Sequence, residues 1–599
     1  FTFRYQRFFD VVDFERNGLS PAGSFAGGFF GFCNGKKAMK QTVSVFFVLA
    51  FLLAATQVWV FQYALPSPDS IAYFEVADQI RSVGYVRALS EHWSPLYSLC
   101  LFAVKNLFLV PLEKELLAAT VSFAVLIFLT AAAAWFFLFF LSKLLWRDES
   151  QAAEARRPWM TYGLGLALFF LFVVFRVNLR LPDVLVFGFA LLSLGCWCES
   201  IRRGLGLGWA FAAGILAGLG FLARANVFHW SLVTGALASW LAVRVSLRRR
   251  LMAYGVFLLG LVLFFAFQLY AMSAQKGRLT FGESGKTVFA AVYGAEWKKG
   301  GKAWPVSLLG GDVRVFTEER EVNFPGFYDV GREFKDAVIP FRFRAAVRGI
   351  LGAFQSALFG YYSPREALIW PMWWAFLPLF LFGIPPASLA FFSVRNHLAP
   401  GSPVLRRRMA VFLVLAGLAG LAMHFLTYAI GYYLPPYLFM LFAGLGVLVL
   451  EKRRKETARH AHRSLRIVGA GFALTAVLYT LSLFRSQHLL AVWSQFVGTA
   501  ELSRALEGIP KEEPHLRRIA VAGQGQWLGL YGVRLSGSQV YADLPNLDVF
   551  KDSERFQKVV QALRERKVAA VLASAQICFG LEKQGWKQVE GTPWCLLVL

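Results

Sequence analysis

Charged side chains are scarce in this chain. Asp, Glu, Lys and Arg make up 17% of its 599 residues, whereas 57% are hydrophobic, and the mean hydropathy is +0.50. A water-soluble protein of this length needs far more polar surface, so the composition excludes that class. The apolar residues form repeated runs of roughly 18 to 25 residues, the length of a helix that crosses a bilayer. The sequence therefore predicts a polytopic α-helical membrane protein.

Acidic residues are the scarcer of the two charge types. The chain has 37 Asp and Glu against 62 Lys and Arg, which gives a net charge of +25. The basic residues cluster in short segments between apolar runs, such as 247–250, 405–409 and 451–455. Such clusters mark the cytoplasmic side of a membrane protein. We therefore interpret the charge as a topology signal and expect no nucleic-acid partner.

The chain also has few residues that commonly bind metals, with six cysteines and eight histidines. Cys196 and Cys198 form a C-x-C inside an apolar helix without a neighbouring His or acid cluster, which argues against zinc. Cys578 and Cys595 both lie in the C-terminal region, and the sequence does not decide whether they form a disulfide. The Gly-rich stretch 523–529 lacks both G-K-[ST] and a full G-x-G-x-x-G. We interpret it as a turn rather than a phosphate loop.

Eleven apolar runs are interpreted as membrane spans, and thirteen is the upper limit if 93–110 and 346–362 also cross. The eleven are 43–64, 115–141, 160–178, 182–202, 206–223, 227–245, 251–271, 367–392, 409–430, 434–450 and 465–484. With a cytoplasmic N-terminus, the Arg-rich loops all fall on the cytoplasmic side. This agreement requires that 93–110 does not cross. Lys105 and Asn106 interrupt it, so we predict a helix that lies in the interface.

The spans divide the chain into three parts. Residues 1–42 form a cytoplasmic or interfacial segment, and 43–484 form a transmembrane domain with external loops 65–114 and 272–366. The tail 485–599 is predicted to be a small external α/β domain. Four strands are expected in it, at 518–523, 538–543, 568–574 and 594–599. One amphipathic helix is expected at 553–567.

The first external loop opens on the acidic stretch PSPDSIAYFEVADQI, residues 66–80. In a helix that begins at Asp69, Asp69, Tyr73 and Ala77 share one face. A carboxylate beside apolar side chains at a membrane surface has its pKa raised by desolvation, and it suits removal of a proton from an acceptor hydroxyl. Capping of the helix N-terminus is the alternative role for Asp69. Glu75 and Asp78 are interpreted as solvated.

Four motifs occur in a fixed order along the chain. They are Asp69, Ser70, Tyr73 and Ala77 followed by W-x-P-L-Y at 93–97, then LRLPDVLVFGFALL at 179–192, GILAGLGFLARAN at 214–226 and GYYLPPY at 431–437. Together they resemble the GT-C class of membrane glycosyltransferases, and within it the protein mannosyltransferase and aminoarabinose transferase relatives. The resemblance implies a GT-C-like fold over residues 43–484.

The resemblance also implies a function. A sugar would pass from a polyprenyl-phosphate-linked donor to a lipid or protein/glycan acceptor at the external face, with Asp69 as the catalytic residue. The donor phosphate needs cations or hydrogen-bond donors, because an unpaired phosphate near lipid is costly. The candidates for donor-phosphate or substrate binding are Arg224, Arg180, Asp183, His92, Glu91, Lys276, Arg278, Tyr432 and Tyr433.

The resemblance assigns no metal ligand and no certain cofactor. A divalent metal held by Asp69 together with Glu91 and His92 is the open alternative. We expect a protein of the bacterial inner (plasma) membrane, in contact with membrane lipids, with a cytoplasmic N-terminus and an external C-terminal domain.

Two cations of these families are missing from the chain. His92 and Trp93 stand where the aminoarabinose transferases have an acid–Lys pair, and Gly431 stands where the families have Arg. These departures keep a second function open, namely a non-catalytic GT-C-like membrane subunit that binds a partner complex or a lipid. A transporter is less favoured, because no charged residue lies deep within a predicted span. An oligosaccharyltransferase is disfavoured, because the tail lacks W-W-D-Y-G.

Overall fold

The structure is a computed structural model of the chain. It describes residues 35–89, 95–146, 149–175, 180–241, 245–277, 279–280, 306–309, 312–315, 403–427, 435–451, 455–484, 486–510, 517–522, 530–544, 547–574, 585–590 and 592–599. In chain order the helices are α1 Gly35–Phe61, α2 Pro68–Val83, α3 Tyr85–Ala88, α4 Pro95–Leu107, α5 Glu115–Leu145, α6 Glu149–Phe169, α7 Asp183–Arg202, α8 Leu207–Ala223, α9 Val227–Leu241, α10 Leu247–Lys276, α11 Pro403–Thr427, α12 Pro435–Glu451, α13 Lys455–Ser482, α14 Ser486–Glu507, α15 Leu530–Leu535 and α16 Ser553–Arg564.

Ten of the eleven predicted spans are helices, namely α1 and α5 to α13, and the run 367–392 lies outside the described residues. Within the described ranges, six helical segments are long and apolar enough to cross a membrane: Met39–Phe61, Leu112–Leu145, Arg156–Val174, Asp183–Arg202, Leu247–Gln275 and His462–Ser482. Shorter apolar helices cover Leu207–Ala223, Val227–Leu241 and Pro435–Leu448. The chain is therefore a polytopic α-helical membrane protein, as predicted.

The outer helices turn large apolar side chains away from the bundle. Phe51 on α1, Leu259 on α10 and Ile467 on α13 are each about 60% exposed (63%, 59% and 61%). Rows of such side chains would be costly in water, and they fit a lipid environment. Helix α7, in contrast, is buried along almost its whole length.

Close helix contacts depend on glycine. A Cβ atom at Gly214 would lie 2.0 Å from the Phe257 carbonyl oxygen, so Gly214 lets α8 approach the backbone of α10. A Cβ atom at Gly165 would likewise lie 2.0 Å from the Gly469 carbonyl oxygen, where α6 meets α13. Small residues at such crossings are typical of helix packing in membranes.

The two ends of the bundle differ in charge. One end carries basic residues where helices begin or end: Lys143, Arg156, Arg157, Arg202, Arg203, Arg248 to Arg250 and Arg406 to Arg408. The opposite end contains the last residues of α1 and α8 and the first residues of α5 and α7. The C-terminal domain contacts this second end, where its Arg534 donates a hydrogen bond to Glu115, the first residue of α5. We call it the domain end.

Helix α4 has 13 residues, or about 20 Å at 1.5 Å per residue, whereas a bilayer core is about 30 Å thick. It is too short to cross, as the sequence predicted for 93–110. Near its end, Lys105 forms ion pairs with Asp78 and Glu115. The lysine that interrupts the apolar run is therefore engaged by one acid of α2 and by the first residue of α5.

The C-terminal domain is built on a seven-stranded sheet with the order β1-β2-β4-β3-β5-β7-β6. The strands are β1 Val306–Leu308, β2 Val313–Val315, β3 Arg517–Ala522, β4 Ser538–Leu544, β5 Val568–Ser574, β6 Lys587–Gln588 and β7 Trp594–Val598. The four predicted strands are confirmed as β3, β4, β5 and β7, and the predicted amphipathic helix is α16. Strand β3 pairs in parallel with β4 on one side and β5 on the other.

Strands β1 and β2 were not predicted. They form an antiparallel hairpin within residues 272–366, the loop predicted to be external, and β2 extends the sheet by pairing with β4. Asp312, between the two strands, forms an ion pair with Arg555 on α16. The sheet therefore joins the loop 272–366 to the tail. In β7, Cys595 is disulfide-bonded, and Cys578 lies outside the described residues.

Candidate active site

Helix α2 begins one residue earlier than the sequence predicted, at Pro68. Its N-cap is Ser67, whose hydroxyl accepts a hydrogen bond from the Ser70 backbone N–H at 3.2 Å. Asp69 lies in the first helical turn and does not cap the helix, so the capping alternative for Asp69 is wrong. Its half-buried carboxylate has no hydrogen bond or ion pair within the part of the chain that the structure describes.

Asp183 and Arg224 form an ion pair at the domain end. Asp183 is the first residue of α7 and is 3% exposed, and Arg224 follows the last residue of α8. One nitrogen of the guanidinium (Nη1) lies 2.5 Å from Asp183 Oδ1. The other carboxylate oxygen, Oδ2, is buried without a hydrogen-bond partner among the described residues. The pair thus holds Arg224 in place and leaves one acceptor oxygen unused.

The charge of Arg224 also reaches Asp69. Burial raises the pKa of the Asp69 carboxyl, and the nearby Arg224 guanidinium partly offsets this effect. The net pKa is above the ordinary value, so Asp69 binds a proton more readily than a solvated aspartate does. Asp69, Asp183 and Arg224 therefore form one electrostatic cluster, which we call the acid–arginine site.

Tyr437 is a fourth residue at this site, and sequence reasoning missed it. It is buried near the start of α12, within electrostatic reach of Arg224 and Asp183. Its ring meets that of Trp230 edge-on, with 5.9 Å between centroids. Tyr437 ends the motif GYYLPPY, so the signal was present. The predicted residues of the motif, Tyr432 and Tyr433, lie outside the described residues.

Arg180 is fully buried and holds the bundle together at the domain end. Its guanidinium donates hydrogen bonds to Thr120 Oγ1 at 2.8 and 3.0 Å and to the carbonyl oxygens of Ala64 and Phe61 at 2.9 Å each. These bonds join the end of α1 to α5. These bonds engage the whole guanidinium of Arg180. Nothing in the described structure tests donor-phosphate binding by Arg180, which stays a prediction.

We expect Arg180→Met to destabilise the protein by about 3 kcal/mol, because it removes a charged donor and leaves buried acceptors unpaired. Thermal unfolding of the detergent-solubilised protein measures this loss. Arg504, an exposed arginine paired with Glu501 on α14, is the matched control. Arg504→Met is expected to change stability by at most about 0.5 kcal/mol. Equal stability of the two variants would contradict the assignment.

The remaining predicted residues are not brought to the site by the described structure. Glu91, His92 and Arg278 lie outside it, and Lys276 is described by its backbone only, as the last residue of α10. Within the described ranges, no group of three or more His, Cys, Asp or Glu is arranged to hold a metal ion.

Fold and site together define an integral membrane protein of many helices, with an acid–arginine site at the end that contacts an α/β domain. No protein-family model matches the sequence, and no curated protein matches it. The fold is similar to that of ArnT from Cupriavidus metallidurans bound to undecaprenyl phosphate, at 14% identity and a TM-score of 0.47, covering 93% of this chain and 97% of that one. It is also similar to the oligosaccharyltransferase AglB from Archaeoglobus fulgidus in complex with an inhibitory peptide and a dolichol-phosphate. There the identity is 12% and the TM-score 0.44, covering 89% of this chain and 69% of that one.

Proposed function

We propose that the chain is a GT-C type glycosyltransferase that moves a sugar from a polyprenyl-phosphate carrier to an acceptor hydroxyl at the external face. The observation that carries this proposal is the acid–arginine site. It combines a half-buried acid of raised pKa, Asp69, with a cation, Arg224, at the domain end of the bundle. Transfer from a lipid-linked sugar phosphate requires these two groups, a proton acceptor and a phosphate ligand.

The reaction proceeds by displacement at the anomeric carbon. Asp69 takes the proton of the acceptor hydroxyl, and the acceptor oxygen forms a new bond to the anomeric carbon. The bond between that carbon and the phosphate oxygen breaks, and the electron pair leaves with the polyprenyl phosphate. Arg224 stabilises the negative charge that develops on the leaving phosphate. The products are the glycosylated acceptor, polyprenyl phosphate and protonated Asp69.

Arg224 is suited to this role because the ion pair with Asp183 places its permanent positive charge at the domain end, beside Asp69. A guanidinium has five N–H donors, and its planar fork matches phosphate oxygens. The Arg224 side chain is 25% exposed, whereas that of Asp183 is almost fully buried. In this proposal Asp183 is a positioning residue that keeps the guanidinium at the domain end.

The charge distribution supports an external domain end. The basic helix termini gather at the opposite end, which the positive-inside rule assigns to the cytoplasm. The disulfide of Cys595 in the sheet domain fits an oxidising compartment. Both observations favour a site that faces the periplasm or the cell exterior.

The test is turnover by the full chain in nanodiscs. We expect release of polyprenyl phosphate from a polyprenyl-phosphate-linked sugar, measured by mass spectrometry in the presence of a lipid or glycan acceptor extract. The proposal requires Asp69 for this release, so Asp69→Asn serves as the negative reference and should release little polyprenyl phosphate. Binding of polyprenyl phosphate without release in the wild type would favour the alternative function, a non-catalytic subunit.

A further inference from the structure

Arg534 belongs to the C-terminal domain, which we also call the sheet domain, but it is buried against the first external loop, 65–114. It lies on α15 and is 3% exposed. Its Nε is 2.9 Å from Glu115 Oε2 and its Nη2 is 2.7 Å from Glu115 Oε1. Two parallel bonds from one guanidinium to one carboxylate are the strongest geometry available to such a pair. The arginine thereby fixes the sheet domain to the first residue of α5.

The same guanidinium holds helix α2. It donates through Nη1 to Glu75 and through Nη2 to Asp78 Oδ2 at 2.5 Å. Lys105 on α4 completes the set by binding Asp78 and, at 2.6 Å, Glu115. These five residues, three acids and two cations, form what we call the docking cluster. The interpretation that Glu75 is solvated is wrong, because it is 3% exposed.

The electrostatics identify Arg534 as the central cation of the cluster. Burial raises the pKa of Glu75, and the Arg534 guanidinium opposes that rise. Burial also acts to raise the pKa of Asp78, but Arg534 and Lys105 outweigh it and lower the pKa. The carboxylates in turn raise the pKa of Arg534 despite its burial. Without Arg534, three acids would share one lysine.

The docking cluster and the acid–arginine site share one rigid element. Asp69 and Glu75 lie on the 16-residue helix α2, six residues apart. This spacing separates them by about 9 Å along the axis and by about 120° around it. One side of α2 therefore presents Asp69 toward Arg224, and another presents Glu75 and Asp78 to the sheet domain.

Helix α2 is held by the bundle on a further side. Ser98 on α4 donates a hydrogen bond to the Tyr73 carbonyl oxygen at 3.3 Å, and the rings of Tyr73 and Tyr97 meet edge-on at 5.1 Å. Lys105 on α4 adds the ion pair with Asp78, which is 40% exposed, whereas the bonds from Arg534 to Glu75 lie in the buried interior. Buried charge-assisted bonds restrain the rotation of a helix more strongly than one hydrogen bond and apolar packing do. Arg534 supplies the buried part of this restraint, because it binds both Glu75 and Asp78.

We propose that Arg534 is a positioning residue which, through Glu75 and Asp78, fixes the rotation and depth of α2 and so keeps Asp69 facing Arg224. This inference rests on the proposed function for its catalytic consequence, but its structural part is independent of activity. The C-terminal domain then has a specific task, because docking of α15 sets the geometry of the site that contains Asp69.

The test compares Arg534→Met with Arg504→Met in the full chain. Hydrogen exchange by mass spectrometry is expected to show residues 68–83 exchanging about tenfold faster in Arg534→Met, with α7 unchanged. In the same variant kcat falls about 100-fold, the expected effect of a misplacement near 1 Å, while the affinity for polyprenyl phosphate stays at the wild-type value. Arg534→Lys, which keeps the charge but loses the fork, gives intermediate values. Arg504→Met behaves like the wild type.

Two results would overturn the proposal. One is wild-type exchange over 68–83 in Arg534→Met, and the other is faster exchange there with an unchanged kcat. If Arg534→Met does not fold, Arg534→Lys gives the same readouts, and faster exchange throughout α7 as well would indicate a general structural role. If the wild type itself shows no turnover, the proposed function fails. The exchange data then still decide whether Arg534 holds α2.

Discussion

Asp69→Asn is expected to lower kcat for transfer from a polyprenyl-phosphate-linked sugar by about 100- to 10,000-fold. Asparagine has nearly the shape of aspartate but cannot accept the acceptor's proton, and a positioned general base contributes an effect of this size. Binding of polyprenyl phosphate should be retained, because Arg224 and Asp183 are unchanged. Single-turnover product formation in nanodiscs, with the donor saturating, measures the loss in the chemical step.

The control is Glu113→Gln, which neutralises an exposed acid of the same loop, 65–114. It should leave kcat within about twofold of the wild type, since an exposed side chain away from the reacting atoms has little effect on the barrier. Wild-type turnover in Asp69→Asn would remove Asp69 from the mechanism, whatever the other residues do.

The pH dependence gives a second readout of Asp69. Transfer needs the ionised form, so kcat/KM should fall as the pH drops through the pKa of Asp69. Burial raises this pKa, so the acid limb should lie above the value of about 3.9 for a solvated aspartate. Asp69→Asn should lose the limb along with the activity. An acid limb at or below the solvated value would contradict the burial of this carboxyl.

The spans could be predicted from the sequence because bilayer thickness imposes a length on each apolar helix. The same reasoning predicted that the run containing α4 does not cross, since Lys105 interrupts it, and the 13 residues of α4 agree with that prediction. Strands β1 and β2 were missed because three residues each are too few to show the alternation of a strand. They gain stability only by pairing with β4, which lies more than two hundred residues later in the chain.

At the site, too, the features that depend on local sequence were predicted, and those that depend on distant contacts were missed. Asp69, Asp183 and Arg224 were selected from motifs that stand in a recognisable order, and the structure brings these three together. The docking cluster escaped prediction because Arg534 is 459 residues from Glu75 and 419 from Glu115. No local periodicity records such a pairing. An acidic helix beside a membrane span therefore looked solvated, although another domain covers it.

Removing Arg224 is the second change with a large expected effect. Arg224→Met should weaken binding of polyprenyl phosphate by about 10- to 100-fold, because a hydrogen bond to a charged group contributes about 1.5 to 3 kcal/mol. It should also move the acid limb of the pH profile to higher pH, since Arg224 lowers the pKa of Asp69. Native mass spectrometry with polyprenyl phosphate measures binding, and kcat/KM against pH measures the limb.

The single variant carries a structural side effect, because it leaves the buried Asp183 without its cation. The double variant Arg224→Met with Asp183→Asn separates the two effects: it removes both charges, so unfolding should return toward the wild-type temperature while the loss of phosphate binding remains. Arg224→Lys keeps a positive charge without the fork and should fall between Arg224→Met and the wild type. If the double variant bound polyprenyl phosphate as tightly as the wild type, Arg224 would be only the structural partner of Asp183. The phosphate ligand would then have to come from elsewhere at the domain end, with Arg180 as the next residue to test.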